Sequence, residues 1–419
     1  MTDGRNLRID GDRLWNSLME LAEIGATDKG GVNRQALTDL DREGRDLFVR
    51  WCEAAGCTVT VDRVGNIFAR RAGRDNDLAP VVMGSHLDTQ PTGGKFDGAY
   101  GVLAGLEVIR ALADADYVTK RPVEVTAWTN EEGCRYAPAM AGSGVFAGAY
   151  PESDVAEAVD RDGLRFADEL ERIGYAGPEP VGGRDIAAFF ETHIEQGPIL
   201  EAEERTIGIV TGSQAIRWYD VTVTGRESHA GTTPMERRHD ALVGAAQIIS
   251  AVHAVGEANR PNGRATVGEL YSSPNSRNTI PGRVLFTIDI RHPDEATLSA
   301  MAETVAESAR TTATDLGLEI EIEESMWFPA IKFDSACVAA VAAGAVAAGA
   351  EGLGLPHMEI ISGAGHDACN IAKVAPAGMI FVPCADGVSH AEIESATQED
   401  CAAGCSVLLN AVVARADDV

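Results

Sequence analysis

The sequence predicts an α/β protein with a mixed sheet flanked by helices, interrupted by a smaller α+β domain. Three observations predict this. Helical and strand-like segments alternate through the first two hundred residues, a β-α-β-β-α-β order follows, and the α/β alternation then resumes. A chain of 419 residues also exceeds one compact core. We therefore expect one domain from residues 1–213 and 328–419, with an inserted domain at 214–327.

In the first part, helices are predicted where apolar residues recur at helical spacing, and strands where short β-branched runs end in polar residues or glycine. The predicted helices are Asp12–Ile24, Thr38–Ala55 and Gly101–Ala113, with a further acidic helical stretch at Asp154–Tyr175. The predicted strands are Cys57–Arg70, Val81–His86, Val123–Asn130 and Ile186–Ile194. This alternation indicates a mixed or mostly parallel sheet covered by helices.

The middle of the chain has the order of a ferredoxin-like split unit. Its predicted strands are Trp218–Thr224, Ala265–Ser272, Val284–His292 and Glu319–Glu324, and its predicted helices are Asp240–Glu257 and Glu295–Leu316. Beyond residue 328 we predict helices at 334–349, 367–373 and 398–415 and strands at 358–362 and 377–382.

The charge balance argues against two classes of partner. The chain has 35 basic and 64 acidic residues, a net charge of −29, which repels nucleic acid and anionic membranes. We interpret this acidity as adaptation to a salt-rich cytoplasm, where counterions screen self-repulsion. The N-terminus lacks a signal pattern and the eight cysteines form no Cys-x-x-Cys pair, so we expect a cytoplasmic protein with free thiols.

The most informative segment runs from Gly84 to Gly98. It places His86, Asp88 and Asp97 directly after a short apolar run that is predicted to be a buried strand. Ligands bind at the carboxyl ends of strands in open α/β sheets. Imidazole and carboxylate together suggest a divalent metal such as zinc, although a buried His–Asp pair with a structural role would look the same.

Similar groups follow other predicted strands. They are Glu131-Glu132, His193, His366-Asp367 and His390. Each has a structural alternative, because a glutamate pair is usually a solvated loop edge and a lone histidine is more often structural than a ligand. Their joint occurrence after successive strands favours a metal site.

The ordered motifs resemble those of the amidase, hydantoinase and carbamoylase group of dinuclear-zinc hydrolases, relatives of aminoacylase and the zinc carboxypeptidases. The resemblance covers nearly the whole chain. The matching motifs are Gly84-Ser-His-Leu-Asp, Gly94-Lys-Phe-Asp-Gly, Asn130-Glu-Glu-Gly, His193-Ile-Glu-Gln-Gly-Pro, His229-Ala-Gly-Thr-Thr-Pro-Met, Asn278-Thr-Ile-Pro-Gly, Ser362-Gly-Ala-Gly-His-Asp-Ala and Ser389-His390. The resemblance implies a zinc-peptidase-like fold in which the inserted domain serves for dimerisation and as a lid.

The resemblance also implies a pair of divalent metal ions. His86 and His193 would bind one ion and Glu132 and His390 the other, with Asp97 bridging both. Zinc is the expected metal, and manganese or cobalt suit the same ligands. Two further residues have implied roles: Asp88 would orient His86 through its carboxylate, and Glu131 would act as general base.

Substrate-binding residues carry over from the same resemblance. They are Gln196, His229, Asn278, Arg291 and His366. Arg291 would bind a carboxylate with its two-pronged guanidinium, although a structural ion pair is the alternative. His229 would stabilise the oxyanion, reaching the site from the other subunit of a homodimer. Catalysis would then require the inserted domain to close over the metals.

The resemblance favours hydrolysis of N-carbamoyl-L-amino acids to the amino acid, carbon dioxide and ammonia. The substrate would be a small ureido carboxylate. Allantoate amidohydrolase and β-ureidopropionase are the close alternatives, because all three substrates pair a ureido group with a carboxylate. A distant alternative is a non-catalytic binding protein that retained the fold, which would have lost Glu131 or a metal ligand.

Overall fold

The computed structural model describes residues 7–349 and 354–418, and the chain divides into two units. The split unit consists of residues up to 212 together with residues from 332 onwards, and the inserted unit of Ser213–Ile331. Part of what we predicted for the outer domain, namely residues 1–6, 350–353 and 419, lies outside the described residues.

The split unit contains most of the helices. They are α1 (Gly11–Ala22), α2 (Asp39–Ala54), α3 (Ala99–Asp114), α4 (Ala141–Phe146), α5 (Glu152–Ala156), α6 (Phe166–Arg172), α7 (Ile199–Ala202), α10 (Ser335–Ala348), α11 (Asp367–Ile371) and α12 (Gln398–Ala416). The strands of its sheet are β1 (Thr58–Val61), β2 (Ile67–Arg71), β3 (Val81–His86), β4 (Val123–Trp128), β5 (Ala188–Ile194), β6 (Ile207–Ser213), β14 (Ile331–Lys332), β15 (His357–Ser362) and β16 (Ala377–Val382).

The inserted unit is built from two long helices and short or medium strands. They are β7 (Ala215–Thr224), β8 (Ser228–His229), α8 (Ala241–Ala258), β9 (Arg264–Thr266), β10 (Leu270–Ser273), β11 (Thr279–Ile280), β12 (Arg283–His292), α9 (Glu295–Leu316) and β13 (Glu319–Phe328).

The large sheet has nine strands in the order β1-β2-β4-β3-β5-β16-β6-β14, with β15 also paired to β6. Its four central strands, β4, β3, β5 and β16, are mutually parallel. Strand β2 runs antiparallel to both β1 and β4, and β6 runs antiparallel to β16. Every residue of the central four is buried, as expected of parallel strands covered on both faces. Their carboxyl ends therefore meet at one edge of the sheet.

Two predictions about local structure in the split unit are wrong. The predicted strand Cys57–Arg70 is a hairpin of β1 and β2, because the buried carboxylate of Asp62 accepts hydrogen bonds from the amides of Val64 and Asn66 and closes a turn. The predicted helix Asp154–Tyr175 is two short helices, α5 and α6, separated by a turn around Asp160. Strand β6 was not predicted.

The inserted unit forms a five-stranded sheet in the order β10-β12-β7-β13, with β9 also paired to β12. Counted in chain order, with β9 and β10 together as the second strand, and read from β13, the strands follow the order fourth, first, third, second. This is the strand order of a ferredoxin-like unit. The predicted strand Ala265–Ser272 is wrong in detail, since two separate strands, β9 and β10, pair with different parts of β12. Helices α8 and α9 contribute Ile248, Val252 and Met301 to its core.

Helix α8 is long and apolar enough to cross a membrane by length and composition. In the structure one of its faces, including Ala245, Ile248, Val252 and Val255, packs into the hydrophobic core of the inserted unit. Core packing therefore explains the apolar residues on that face of α8.

A buried ion pair on α2 supports the loops at the carboxyl edge of the large sheet. The Nε of Arg45 donates to Asp41 at 2.8 Å, with side chains 2% and 0% exposed. The same guanidinium donates to the carbonyl of Gly65 and to the hydroxyl of Thr129, which lies directly after β4. One buried cation thus joins α2, the β1–β2 hairpin and the loop that follows β4.

Replacing Arg45 by Met should therefore destabilise the protein by about 3–5 kcal/mol, because it leaves the Asp41 carboxylate buried without its cation. The matched control is Arg42→Met. Arg42 pairs with Asp46 on the same helix at the same spacing, but at 3.7 Å and with side chains 54% and 43% exposed, so its loss should change stability by less than about 1 kcal/mol. Urea unfolding measures both values, and equal effects would contradict the account.

Candidate metal centre

His86 ends β3 and is oriented by its own loop. Its Nδ1 lies 2.9 Å from the carbonyl oxygen of Asp88, which can only accept, so a neutral ring carries its proton on Nδ1 and leaves the Nε2 lone pair free. We expected the carboxylate of Asp88 to orient this ring. That interpretation is wrong in detail, because the Asp88 carboxylate oxygen lies 3.9 Å from Nδ1, beyond hydrogen-bond distance.

The Asp88 carboxylate instead binds the loop after β4. Its two oxygens accept hydrogen bonds from the amides of Glu131 and Glu132, each at 3.2 Å. Burial raises the pKa of Asp88, while the imidazole of His86 and the Glu131 amide oppose that rise. Asp88 therefore fixes the backbone from which both glutamates project.

Asp97 lies between three histidines. Its Oδ1 is 3.2 Å from Nε2 of His193 and 3.6 Å from Nε2 of His86, and its Oδ2 is 3.4 Å from Nε2 of His390. Burial alone would raise the pKa of Asp97, but the adjacent imidazoles of His193 and His86 hold it well below its usual value. The carboxylate is thus ionised and has one oxygen facing each side.

The second side of Asp97 is completed by Glu132. Its Oε2 lies 3.5 Å from Nε2 of His390 and accepts a hydrogen bond from the side-chain amide of Gln90 at 2.7 Å, while its Oε1 accepts from the Gln90 backbone. Burial and the negative charge of Asp97 raise the pKa of Glu132 to about 8. A nearby cation would reverse this shift.

These contacts produce two groups of donor atoms that share one carboxylate. His86, Asp97 and His193 form one group, and Asp97, Glu132 and His390 the other, with the donor atoms in each lying within 4.8 Å of one another. His193, like His86, directs Nδ1 at a carbonyl, that of Ile194, so a neutral ring carries its proton on Nδ1. Its Nε2 lone pair accepts a hydrogen bond from the amide of Gly98 at 3.2 Å. Neutral imidazoles and carboxylates in sets of three suit zinc, manganese or cobalt.

Glu131 lies beside the first group without belonging to it. Its Oε2 is 3.6 Å from Nε2 of His86. Burial raises the pKa of Glu131 well above its usual value, and the imidazole of His86 opposes the rise. A carboxylate that has a raised pKa and lies next to a group of candidate metal ligands is suited to accept a proton near neutral pH.

Three residues of this edge adopt left-handed backbone conformations. Asn130, Gln196 and His390 have φ values of 55°, 58° and 53°, and they follow β4, β5 and β16. Such conformations are uncommon outside glycine and concentrate at functional sites. The side-chain amide of Gln196 donates to Oδ2 of Asp97 at 2.9 Å and also to the hydroxyl of Ser389.

His366 is buried behind the first group. Its Nε2 is 2.8 Å from the hydroxyl of Ser362, and its ring packs edge-on against that of His193 with centroids 4.7 Å apart. Burial and the positive potential of His193 lower its pKa well below the usual value, so the ring is neutral. Glu191, which the sequence analysis did not single out, shares this location with His193 and His366.

The remaining predicted substrate residues lie in the inserted unit. Strands β8 and β11 pair His229 with Thr279, and the amide of Ala230 donates to the carbonyl of Asn278, so His229 and Asn278 are neighbours. The amides of Gly231 and Thr232 donate to Nδ1 of His229, so a neutral ring carries its proton on Nε2 and can donate from there.

Arg291 lies on β12 and forms a two-pronged contact with Asp289. Its Nε and Nη2 donate to the two carboxylate oxygens at 3.0 and 2.7 Å. The structural ion pair that we named as the alternative for Arg291 therefore exists, and the guanidinium is held in a fixed orientation.

Several residues of the site were given no role in the sequence analysis. Gln90, Ser389 and Glu394 contact the donor groups directly or bind the loop that carries Asp97. Ser389 and Gln90 lie inside matched motifs or next to them, which is the signal that could have found them. Glu394 has no such signal, because its partners are backbone amides on a distant loop.

A carboxylate shared by two histidine-containing groups, at the carboxyl edge of four parallel strands, is an arrangement suited to a metal-dependent hydrolase. The sequence model of Peptidase family M20/M25/M40 matches residues 82–414 of this chain. The chain belongs to this family, which confirms the predicted fold class, hydrolase class and family resemblance.

Similar proteins extend over essentially the whole chain. An N-carbamoyl-L-amino-acid amidohydrolase of Rhizobium meliloti is 50% identical over 416 residues, 99% of each chain. An allantoate amidohydrolase of Bacillus subtilis is 35% identical over 376 residues, 89% of this chain and 90% of the relative. The crystal structure of a hydantoinase/carbamoylase family amidase from Burkholderia multivorans superposes with a TM-score of 0.93 at 57% identity, covering 98% of this chain and 99% of the other.

The close approach of Gly98 to His86 gives a test of the first donor group. A Cβ atom on Gly98 would lie 2.3 Å from Cε1 of the His86 ring. Gly98→Ala should therefore displace this ring and weaken metal binding about 10–100-fold, the range seen when the surroundings of a ligand are disturbed. Metal retained after dialysis is the measurement.

Gly56→Ala is the matched control for this substitution. Gly56 also has a positive φ, 81°, but among the described residues nothing lies within 4 Å of its added Cβ. It should lower stability by roughly 1–2 kcal/mol through backbone strain and leave metal content unchanged. Metal loss of the same size in both variants would contradict a specific clash with His86.

Proposed function

We propose that this protein hydrolyses the carbamoyl C–N bond of N-carbamoyl-L-amino acids. The observation that carries the proposal is the 50% identity, over 99% of both chains, to the N-carbamoyl-L-amino-acid amidohydrolase of Rhizobium meliloti. The arrangement of donor groups around Asp97 supports it, because a ureido carbonyl needs strong polarisation before water can attack it. The products are the L-amino acid, carbon dioxide and ammonia.

We infer that two divalent metal ions bind, zinc being the first candidate and manganese or cobalt the others. His86 and His193 would hold one ion and Glu132 and His390 the other, with Asp97 between them. When bound, such a pair activates a water molecule and stabilises negative charge on the carbonyl oxygen of the substrate.

The residues of the chain supply the proton transfers. Glu131 accepts a proton from the attacking water and delivers it to the nitrogen that leaves when the C–N bond breaks. The carbamate released from the amino acid then decomposes to carbon dioxide and ammonia, so one water is consumed for each bond broken. Asp88 holds the backbone amide of Glu131, which keeps this carboxylate in place.

We propose that five polar residues recognise the substrate. In the inserted unit, the Nε2 proton of His229 and the amide of Asn278 are suited to stabilise negative charge on the carbonyl oxygen. Arg291 would bind the substrate carboxylate, with Asp289 keeping its guanidinium oriented. Gln196 and His366 are proposed to bind the ureido end. We also propose that the active form is a cytoplasmic homodimer in which His229 acts on the site of the other subunit.

Allantoate is the second candidate substrate. The allantoate amidohydrolase of Bacillus subtilis is similar over 89% of the chain, but at 35% identity, against 50% for the carbamoyl-amino-acid enzyme. N-carbamoyl-β-alanine, the substrate of β-ureidopropionases, offers the same two functional groups and is the third. A non-catalytic role does not fit a chain in which every predicted ligand and the predicted base are present.

The adjacent glutamates provide the test of mechanism. Purified metal-loaded protein should release ammonia from N-carbamoyl-L-methionine more efficiently than from allantoate or N-carbamoyl-β-alanine. Glu131→Gln should lower kcat about 10²–10⁴-fold while the protein keeps its metal, because only the proton transfer is removed. Glu132→Gln should lose metal. Preferential turnover of allantoate would contradict the proposed substrate. Full activity of Glu131→Gln would contradict the proposed role of Glu131 as general base.

Arg291→Met should raise KM for N-carbamoyl-L-methionine while changing kcat less, because it removes binding that is equal in ground and transition states. It should also reduce the preference for this substrate over its uncharged carboxamide. Arg283→Met, an exposed position on the same strand, is the matched control and should leave both quantities unchanged. If Arg291→Met keeps the full preference for the carboxylate, Arg291 serves only its ion pair with Asp289.

A further inference from the structure

Glu394 is a buried carboxylate that none of the motifs includes. It lies in the loop between β16 and α12 and is 5% exposed. Its Oε1 accepts hydrogen bonds from the amides of Phe96 at 3.0 Å and Asp97 at 3.1 Å, and its Oε2 accepts from the hydroxyl of Ser389 at 2.8 Å. One side chain therefore binds the backbone that carries Asp97 and the residue that precedes His390.

Ser389 extends this contact to the bridging carboxylate itself. Its hydroxyl lies 2.9 Å from Oδ2 of Asp97, the oxygen that faces His390. Glu394 thus acts on Asp97 twice, once through the backbone amide and once through the Ser389 hydroxyl.

The loop before Asp97 is closed tightly against Glu394. A Cβ atom on Gly94 would lie 2.0 Å from Oε1 of Glu394 and 2.5 Å from its Cβ. The backbone can approach the carboxylate this closely only because position 94 is glycine. The contact joins loops from two different strands, with hydrogen-bonded residues as far as 298 positions apart in sequence.

We propose that Glu394 is a positioning residue. It holds the bridging carboxylate of Asp97 and the loop that carries His390 in fixed relative positions, so that the metal ion held by Glu132 and His390 can bind. This inference rests on the metal pair of the proposed function. Glu394 touches neither substrate nor metal in this account. It acts by fixing where Oδ2 of Asp97 and the ring of His390 point.

The hydrogen-bond directions predict which substitution preserves the function. The Ser389 hydroxyl has one proton but two carboxylate oxygens within hydrogen-bond distance. A carboxamide at position 394 would donate from Nε2 to Ser389, which could then donate to Asp97, while Oε1 still accepts from both amides. Glu394→Gln therefore keeps every contact, whereas Glu394→Ala removes all of them.

The experiment is a titration of metal-free protein with Co²⁺. Calorimetry and the visible absorption of the bound ion both measure the binding. Wild type should take up two equivalents. Glu394→Ala should bind the second equivalent about 10–100-fold more weakly, with an altered spectrum, as expected when a group that orients ligands is lost. Glu394→Gln should keep both affinity and spectrum. Glu399→Ala, an exposed glutamate in the first turn of α12, is the matched control and should behave as wild type.

Three results would overturn the proposal: unchanged affinity in Glu394→Ala, equal losses in the Ala and Gln variants, or equal losses in Glu399→Ala. If Glu394→Ala does not fold, Ser389→Ala replaces it. This variant breaks the link to Oδ2 of Asp97 and should weaken the second equivalent, and unchanged affinity would again overturn the proposal. Fewer than two equivalents in wild type would overturn the metal pair of the proposed function, and with it this inference, irrespective of any substitution at position 394.

Discussion

The site depends on one constraint of topology, the side-by-side order of β4, β3, β5 and β16. These strands are parallel and fully buried, so their carboxyl ends meet at a single edge. His86 and His193 lie at the ends of two of them, Glu131 and Glu132 follow a third, and His390 follows the fourth. This order brings Ser389 within hydrogen-bond distance of Asp97, although the two residues lie 292 positions apart in sequence.

Gathering carboxylates at a buried edge creates an electrostatic problem that the structure resolves differently for each group. Asp88 is stabilised by two backbone amides, Asp97 by imidazoles on both of its sides, and Glu132 by Gln90. Burial raises the pKa of Glu131 and Glu132, which marks this location as one that favours positive charge. In the proposed function, divalent metal ions would supply such charge, and Glu131, outside both donor groups, would transfer protons.

Sequence reasoning predicted elements whose cause is local. The bounds of β3, Val81–His86, and of α9, Glu295–Leu316, were predicted as they occur, because an apolar β-branched run and a capped periodic helix each define themselves. The hairpin at Asp62 was missed because its turn depends on one side chain bonding its own backbone. The contact of Asp88 with the glutamate amides and the role of Glu394 could not be predicted, since both depend on the path of loops that meet only in the folded chain.

The central claim, that Asp97 is shared between two metal ions, is tested most directly by anomalous diffraction at the zinc edge from crystals of the zinc-loaded protein. We expect two peaks about 3.5–4 Å apart, one on each side of Asp97. His86 and His193 should lie at one peak, and Glu132 and His390 at the other. A single peak, or two peaks that Asp97 does not bridge, would contradict it.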